Sequence, residues 1–400
     1  MKRLSYKIGV GGVDIDSVGK RFVLDALNNG RLSYGPYTEK FEQAFAEIHH
    51  RRSAIFCNSG TSALQVGFHA LKKKYKWRDG AEVLVPALTF VASINTILQN
   101  NLSPIFVDID PLYYEIDPKK IEEKITKNTV AIEPVHLFGQ PCEMEPIMAI
   151  AKKYKLAVIE DSSETMFAHY KGKVTGSWGE ISCFSTYAAH IITTGVGGLA
   201  TADDPQLAIQ MKSLINHGRD SIYQKIDDDD NKTGKELRLI VEKRFSFIDI
   251  GYSYRATELE AALGLAELMR WKSIISKRQR NALYLTKHLS PLSEFLQLPH
   301  VRPETEHVFM MYPIIIKEEN IDLMDFIFYL EKKGIETRFL FQTLQQPIYK
   351  NLFGDISSNY PAAEWVSERG FYIGCHPQLS LDHLDYVVDL FLTYFKHRKP

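Results

Sequence analysis

The 400-residue sequence has only four cysteines, Cys57, Cys142, Cys183 and Cys375, far apart and without a Cys-x-x-Cys pair, so neither a zinc site nor a disulfide framework is expected. It has no excess charge of either sign: 48 Lys and Arg face 49 Asp and Glu, a net charge of −1 at pH 7. That balance argues against a nucleic-acid or anionic-membrane partner. No apolar run approaches the ~20 residues of a bilayer span. The opening MKRLSYKIGVGG holds no apolar core of a signal peptide, so a cytoplasmic chain is expected. What the chain does have is 45% hydrophobic and 12% aromatic residues, ample for a large core and incompatible with intrinsic disorder.

Short apolar runs at 54–57, 83–85, 104–107, 130–133 and 157–159 alternate with amphipathic stretches at 62–75, 90–99, 118–125 and 144–154. Strand and helix repeated at this spacing predict an α/β chain with a mostly parallel sheet. After about Arg280 the rhythm becomes α+β, with a strand predicted at 308–316 and a helix at 323–333, behind a connecting helix at Trp271–Leu289. A large domain over 1–275 and a smaller C-terminal one over 276–400 are expected. Thr257 and Glu260 stand at capping-box spacing before Ala261, Ala262 and Leu263. Residues 223–243, with four aspartates in a row at 227–230, read as a solvated insertion. Consecutive carboxylates point to several sides instead of converging, so no metal is expected.

Four segments carry candidate chemistry. Asn58-Ser59-Gly60-Thr61-Ser62 precedes a helix carrying Leu64, Phe68 and Leu71, and its backbone amides suit a phosphate or serve as an ordinary cap. It is neither a Rossmann fingerprint nor a P-loop. Asp161 ends an apolar run at the carboxyl edge of a predicted parallel strand, where open α/β sheets bind ligands; it could pair with a protonated ring nitrogen or cap the next helix. Phe90 begins a helix directly after a strand, placed to stack on a planar ring or to pack in the core. The segment 184–198 gathers hydroxyls and glycines around His190, a residue that alone would read as structural.

Together and in this order the segments resemble the vitamin B6-dependent nucleotide-sugar aminotransferases of the DegT-like family, of fold type I. The matches are NSGTSAL at 58–64, PALTFVAS at 86–93, FVDID at 106–110, HLFGQPCEM at 136–144, EDSSE at 160–164, CFSTYAAHIITTGVGG at 183–198, HGRD at 217–220 and GYSYRATELEAALG at 251–264. The resemblance extends from about Leu32 to Leu268. It implies that Gly60, Thr61 and Ser185 cradle the phosphate of pyridoxal or pyridoxamine 5'-phosphate, that Phe90 stacks on its ring, and that Asp161 keeps the ring nitrogen protonated. Glu164 falls near the ring hydroxyl, and Ser253 stands where relatives carry the Asn that reaches a neighbouring subunit's cofactor phosphate. Tyr34 and Tyr37 border the entrance loop, and Arg219 is placed to meet a nucleotide diphosphate or to sit in a surface loop. A homodimer is implied as well.

One departure bears on the reaction. Where the aminotransferases carry the Lys that forms the Schiff base, this chain has His190, in register with the Gly-Gly that follows, so the cofactor is expected to bind non-covalently. Lys171 and Lys173 match no catalytic position. A histidine here resembles the GDP-4-keto-6-deoxymannose 3-dehydratases and the iron–sulfur-dependent dehydratases of deoxysugar synthesis, the latter disfavoured by the scattered cysteines. The resemblance implies a 4-keto-6-deoxy nucleotide sugar as substrate, L-glutamate as amino donor and His190 as acid and base in deoxysugar or surface-polysaccharide synthesis. Val196 replaces a Glu common in relatives. An aminotransferase working without its lysine, and a non-catalytic relative, remain as alternatives.

Overall fold

Five runs of apolar residues form the strands β1 (Ser53–Cys57), β2 (Glu82–Pro86), β3 (Ser103–Val107), β4 (Thr129–Ile132) and β5 (Ala157–Asp161). The short β6 (His169–Tyr170) and β7 (Lys173–Val174) follow, then β8 (Ile181–Ser185) and β9 (Gly198–Ala202). This computed structural model describes residues 7–220, 230–396 and 398. Seven strands share one sheet in the order β1-β9-β8-β5-β4-β2-β3. β2, β3, β4, β5 and β8 run parallel, and β9 is antiparallel to both of its neighbours, β1 and β8. Their residues are buried on both faces, because helices cover both sides of such a sheet.

The helices of this part are α1 (Ser17–Asn28), α2 (Pro36–Ile48), α3 (Gly60–Tyr75), α4 (Val91–Gln99), α5 (Met144–Tyr154), α6 (Pro205–Leu214), α7 (Gly234–Lys243), α8 (Glu258–Leu268) and α9 (Trp271–Leu289). α8 starts at the expected capping box of Thr257 and Glu260. The predicted helix at 118–125 is instead two 3₁₀ turns, Pro118–Lys120 and Glu122–Lys124. Its buried anchors are Pro118 and Ile121, three residues apart, a spacing that the 3₁₀ geometry aligns and that leaves a longer α-helix without an apolar stripe. Of the expected insertion, 223–229 lie outside the described residues, while α7 exposes most of its length and buries Ile240.

The C-terminal part contains β10 (Leu296–Gln297), β11 (Thr305–Glu306), β12 (Tyr312–Ile316), α10 (Leu323–Lys332), β13 (Thr337–Phe339), α11 (Pro347–Phe353), α12 (Pro361–Arg369), β14 (Gly370–Ile373) and α13 (Leu381–Phe395). β10-β12-β14-β13 form an antiparallel sheet. The strand predicted at 308–316 begins only at Tyr312, because the amides of Val308 and Met310 donate instead to the carbonyls of Gly139 and Phe138. α9 joins two apolar cores: Ile274 and Ile275 pack with the large sheet, Ala282, Leu285 and Leu289 with the C-terminal sheet. Ile8 belongs to the second core and pairs with Ile335. No helix among the described residues is long and apolar enough to cross a membrane.

Candidate active site

The carboxyl ends of the parallel strands bring the candidate residues together. β1 ends at Cys57, and the chain turns through Asn58 and Ser59 into α3. Ser59 caps the helix, its hydroxyl accepting from the Ser62 amide at 3.0 Å, and the Ser62 hydroxyl donates to Asn58 Oδ1 at 2.7 Å. First-turn amides have no partner within a helix, so those of Gly60 and Thr61 are available to an anion at the positive end of the dipole. Gly60 is required here because a Cβ on it would stand 2.7 Å from the Ser185 Cβ. That close approach seats the end of β8 against the start of α3. The segment around Ser253 lies alongside: the Asn58 amide donates to the Tyr254 carbonyl at 2.8 Å, and Arg255 Nη2 donates to the exposed Ser253 hydroxyl at 3.1 Å.

Asp161 ends β5 and is buried. Its Oδ2 accepts from the Ser93 hydroxyl at 3.0 Å and its Oδ1 from the Ser163 amide at 3.0 Å, which leaves lone pairs for a cationic donor. Ser93 meets Thr89 (2.9 Å), and the Thr343 hydroxyl donates to the Thr89 carbonyl (2.6 Å), so a polar chain runs from the C-terminal part to this carboxylate. Phe90 is the residue before α4 and is 53% exposed, with its ring edge-on to Phe341 at 5.9 Å. An exposed face of this kind, beside a buried carboxylate, is a platform for a planar ring. Phe341 in turn stacks on Phe138 (5.6 Å), whose amide donates to Glu164 at 2.9 Å. Burial pushes the Glu164 carboxyl up to about 8, against the Phe138 amide and with help from the Asp161 charge.

His190 sits in the tight loop between β8 and β9. That loop is closed by a 2.6 Å contact of the Thr186 and Thr194 hydroxyls and by the pairing of Tyr187 with Gly195. The imidazole is partly exposed, and its Nδ1 lies 2.8 Å from the Ser163 carbonyl. A carbonyl only accepts, so Nδ1 carries the hydrogen and Nε2 is the free lone pair. Loss of water around the ring pushes its pKa down to about 4, the Ser163 bond opposing and the Arg278 charge adding to the shift. His190 is therefore a neutral base at pH 7. Ser163 links it directly to Asp161.

The other expected positions vary. Tyr34 has φ +49°, and its hydroxyl is buried without a partner among the described residues, beside an open cleft of about 980 Å3 shared with Arg31, Glu42 and Lys212. Tyr37 is turned into the packing of α1, its hydroxyl donating to Asp25 at 2.8 Å. Arg219 lies 5.8 Å from the rings of both Phe245 and Phe247. It is held by a turn at Gly218, where φ is +76° and a Cβ would stand 2.1 Å from the Asp249 carbonyl oxygen. Lys171 pairs with Glu145 at 2.5 Å and Lys173 lies over Trp178, so neither belongs to the His190 loop. Each cysteine is buried and free.

Two residues at the site escaped the sequence reading. Glu133, just past β4, is fully buried with neither oxygen bonded among the described residues, and burial with the Asp161 charge holds its carboxyl well above the usual range. An acid closing an otherwise apolar strand was its sequence signal. Ser93 stands three residues after Phe90, on the first turn of α4, and only the fold shows that it faces Asp161.

A family model, the DegT/DnrJ/EryC1/StrS aminotransferase family, matches residues 14–392. The chain is 34% identical over 385 residues, 96% of each chain, to the GDP-perosamine synthase of Caulobacter vibrioides. It is 29% identical over 397 residues, 96% of this chain and 86% of the other, to the dTDP-4-dehydro-2,6-dideoxy-D-glucose 3-dehydratase of Saccharopolyspora spinosa. The solved E. coli GDP-4-keto-6-deoxy-D-mannose-3-dehydratase with bound hydrated PLP has a TM-score of 0.86 at 24% identity, covering 96% of this chain and 99% of that one. This last likeness shows the fold, the type I transferase architecture expected from the motifs. With the model matching nearly end to end, the chain belongs to the DegT/DnrJ/EryC1/StrS aminotransferase family.

Proposed function

We propose that the protein is a pyridoxal or pyridoxamine 5'-phosphate-dependent 3-dehydratase of a 4-keto-6-deoxy nucleotide sugar, with His190 as its acid and base. The chain's residues fit the cofactor on three counts. The glycine-tight N-terminus of α3 against Ser185 suits the phosphate, and the exposed Phe90 face suits the ring. The buried Asp161, with spare lone pairs, suits a protonated ring nitrogen. Gly60, Thr61 and Ser185 would hold the phosphate, with Ser253 near them, and Glu164, protonated at pH 7, would offer a hydrogen to the ring oxygen. When bound as pyridoxamine phosphate, the cofactor supplies the amine that takes up the sugar's keto carbon and a ring that draws electrons from the adjoining bonds.

The observation that carries the reading is the free Nε2 of His190. In the resting structure Nδ1–H is committed to the Ser163 carbonyl, so Nε2 is positioned to take a proton and, once charged, to give one to a departing hydroxyl. Imidazole forms no Schiff base with an aldehyde cofactor, so the group would be held by non-covalent contacts. The same reading takes L-glutamate as the amino donor, assigns residues 1–275 to cofactor binding and 276–400 to a smaller domain, and pairs two copies as a homodimer. Tyr34, Tyr37 and Arg219 are its substrate-side candidates. The dehydratase relative from Saccharopolyspora spinosa and the E. coli dehydratase fold support it. The identity to GDP-perosamine synthase favours a second reading, amino transfer to the same class of sugar. Product analysis by mass spectrometry separates the two: loss of an oxygen against gain of an amino group.

A further inference from the structure

Arg278, in α9, is among the largest fully buried side chains. A buried guanidinium ordinarily faces a carboxylate, since an unpaired buried charge is costly. Here every acceptor is a backbone carbonyl. Nη1 donates to Met310 at 2.6 Å and to Phe309 at 3.3 Å, and Nη2 donates to the His190 carbonyl at 3.3 Å. Nε has no acceptor among the described residues. One side chain thus ties the His190 loop to α9 and to the 308–311 segment.

The charges around His190 come from several elements. A cavity of about 40 Å3 beside it is lined by Asp14 of the N-terminal segment, Glu267 of α8, Arg270, and Lys277 and Arg278 of α9. Arg270 bonds to both Asp14 (3.0 Å) and Glu267 (2.9 Å), so its charge is shared between two carboxylates, and Lys277 is exposed. Asp161 lies on the far side, its charge shared with Ser93 and Ser163. Two charged groups are bonded to the His190 loop itself, Glu267 at the Thr193 backbone and Arg278 at the carbonyl of His190.

We propose that Arg278 is a positioning residue for His190: it anchors the loop backbone and, as a fixed positive charge in a water-poor setting, disfavours a second positive charge on the imidazole. This rests on the acid/base reading of His190. The low basicity of the ring agrees with it: burial is the largest cause and the Arg278 charge adds a smaller part. The carbonyl-only partnering agrees as well, since Glu267 acts on the guanidinium through space and not through a bond among the described residues.

The test is histidine-selective NMR titration of the full-length protein, with the His190 resonance assigned by its loss in His190→Asn. In the wild type His190 stays neutral far below the ordinary ~6.5. Arg278→Gln, which still donates to carbonyls but carries no charge, is expected to raise its midpoint, while Arg278→Lys leaves it in place. Arg278→Met is the second charge-free variant if the Gln protein does not fold. A midpoint unmoved in the charge-free variant, or moved equally by Arg278→Lys, overturns the proposal. Failure of the acid/base reading shows separately, as full activity in His190→Asn.

Discussion

Two histidines show how position decides chemistry in this chain. His49 is fully buried, stacked on Phe45 at 4.2 Å with its Nδ1 donating to the Phe45 carbonyl, and burial pushes its pKa down to about 3. His190 is displaced nearly as far but keeps a partly exposed ring with a free Nε2. The first is a core residue and the second the proposed base. His49 makes a sign-definite prediction. The unfolded chain takes up its proton near ~6.5 and the fold refuses it until about 3. Its contribution to stability is therefore complete above the unfolded value and lost as pH falls toward the folded one. Relative to the wild type, His49→Phe should gain about 1.4 kcal/mol of unfolding free energy per pH unit between pH 6 and 4, as read by denaturant titration. A pH-independent difference would show that His49 is charged in the fold. At this scale the sequence was informative where a residue's surroundings were local: Asp161 ends its strand as read, and Phe90, read as the first residue of a helix, stands one residue before it. Ser93 and Arg278 were invisible because their partners lie tens of residues away, as in the contacts of Ser93 to Asp161 and of Arg278 to His190.

At the scale of elements, the site depends on how closely β8 meets α3. The Gly60 amide, the Ser185 side chain and Gly198 at the start of β9 crowd one point, and a Cβ on Gly198 would stand 2.4 Å from the Gly60 nitrogen. Gly60→Ala is therefore expected to push the helix start away from β8, costing about 1–3 kcal/mol of stability and weakening cofactor binding at least about tenfold. Adding Ser185→Gly, which removes the colliding atom, should return part of the thermal stability. Unchanged cofactor affinity in Gly60→Ala would place the phosphate elsewhere. Helices with caps and full apolar stripes were legible from spacing, as α9 at Trp271–Leu289 and the capping box of α8 show. The 118–125 stretch and the residues before Tyr312 were not, since long-range hydrogen bonds and a single pair of buried anchors decide them.

On the scale of the whole molecule, the mostly parallel sheet followed from the alternation of runs, but its strand order and the return of Ile8 to the C-terminal core did not, since one apolar residue carries no periodicity and the runs do not say which strands pair. The segment after α7 leaves Phe245 83% and Ile250 87% exposed, and Tyr187 and Val196 are exposed on the His190 loop. Apolar side chains set out in this way suit an interface between copies. Sedimentation equilibrium should give about twice the 45.8 kDa chain mass, and Phe245→Glu with Ile250→Asp should lower it toward the monomer. A wild-type monomer at micromolar concentration would remove the homodimer from the reading. The central claim, that a histidine in place of the lysine turns an aminotransferase scaffold to dehydration, is tested most directly by the mass of the product. The protein, pyridoxal phosphate and L-glutamate would be incubated with a panel of 4-keto-6-deoxy nucleotide sugars, beside His190→Asn. The account predicts a sugar short of one oxygen from the wild type and none from the variant. A sugar that has gained an amino group, or equal turnover by His190→Asn, would contradict it.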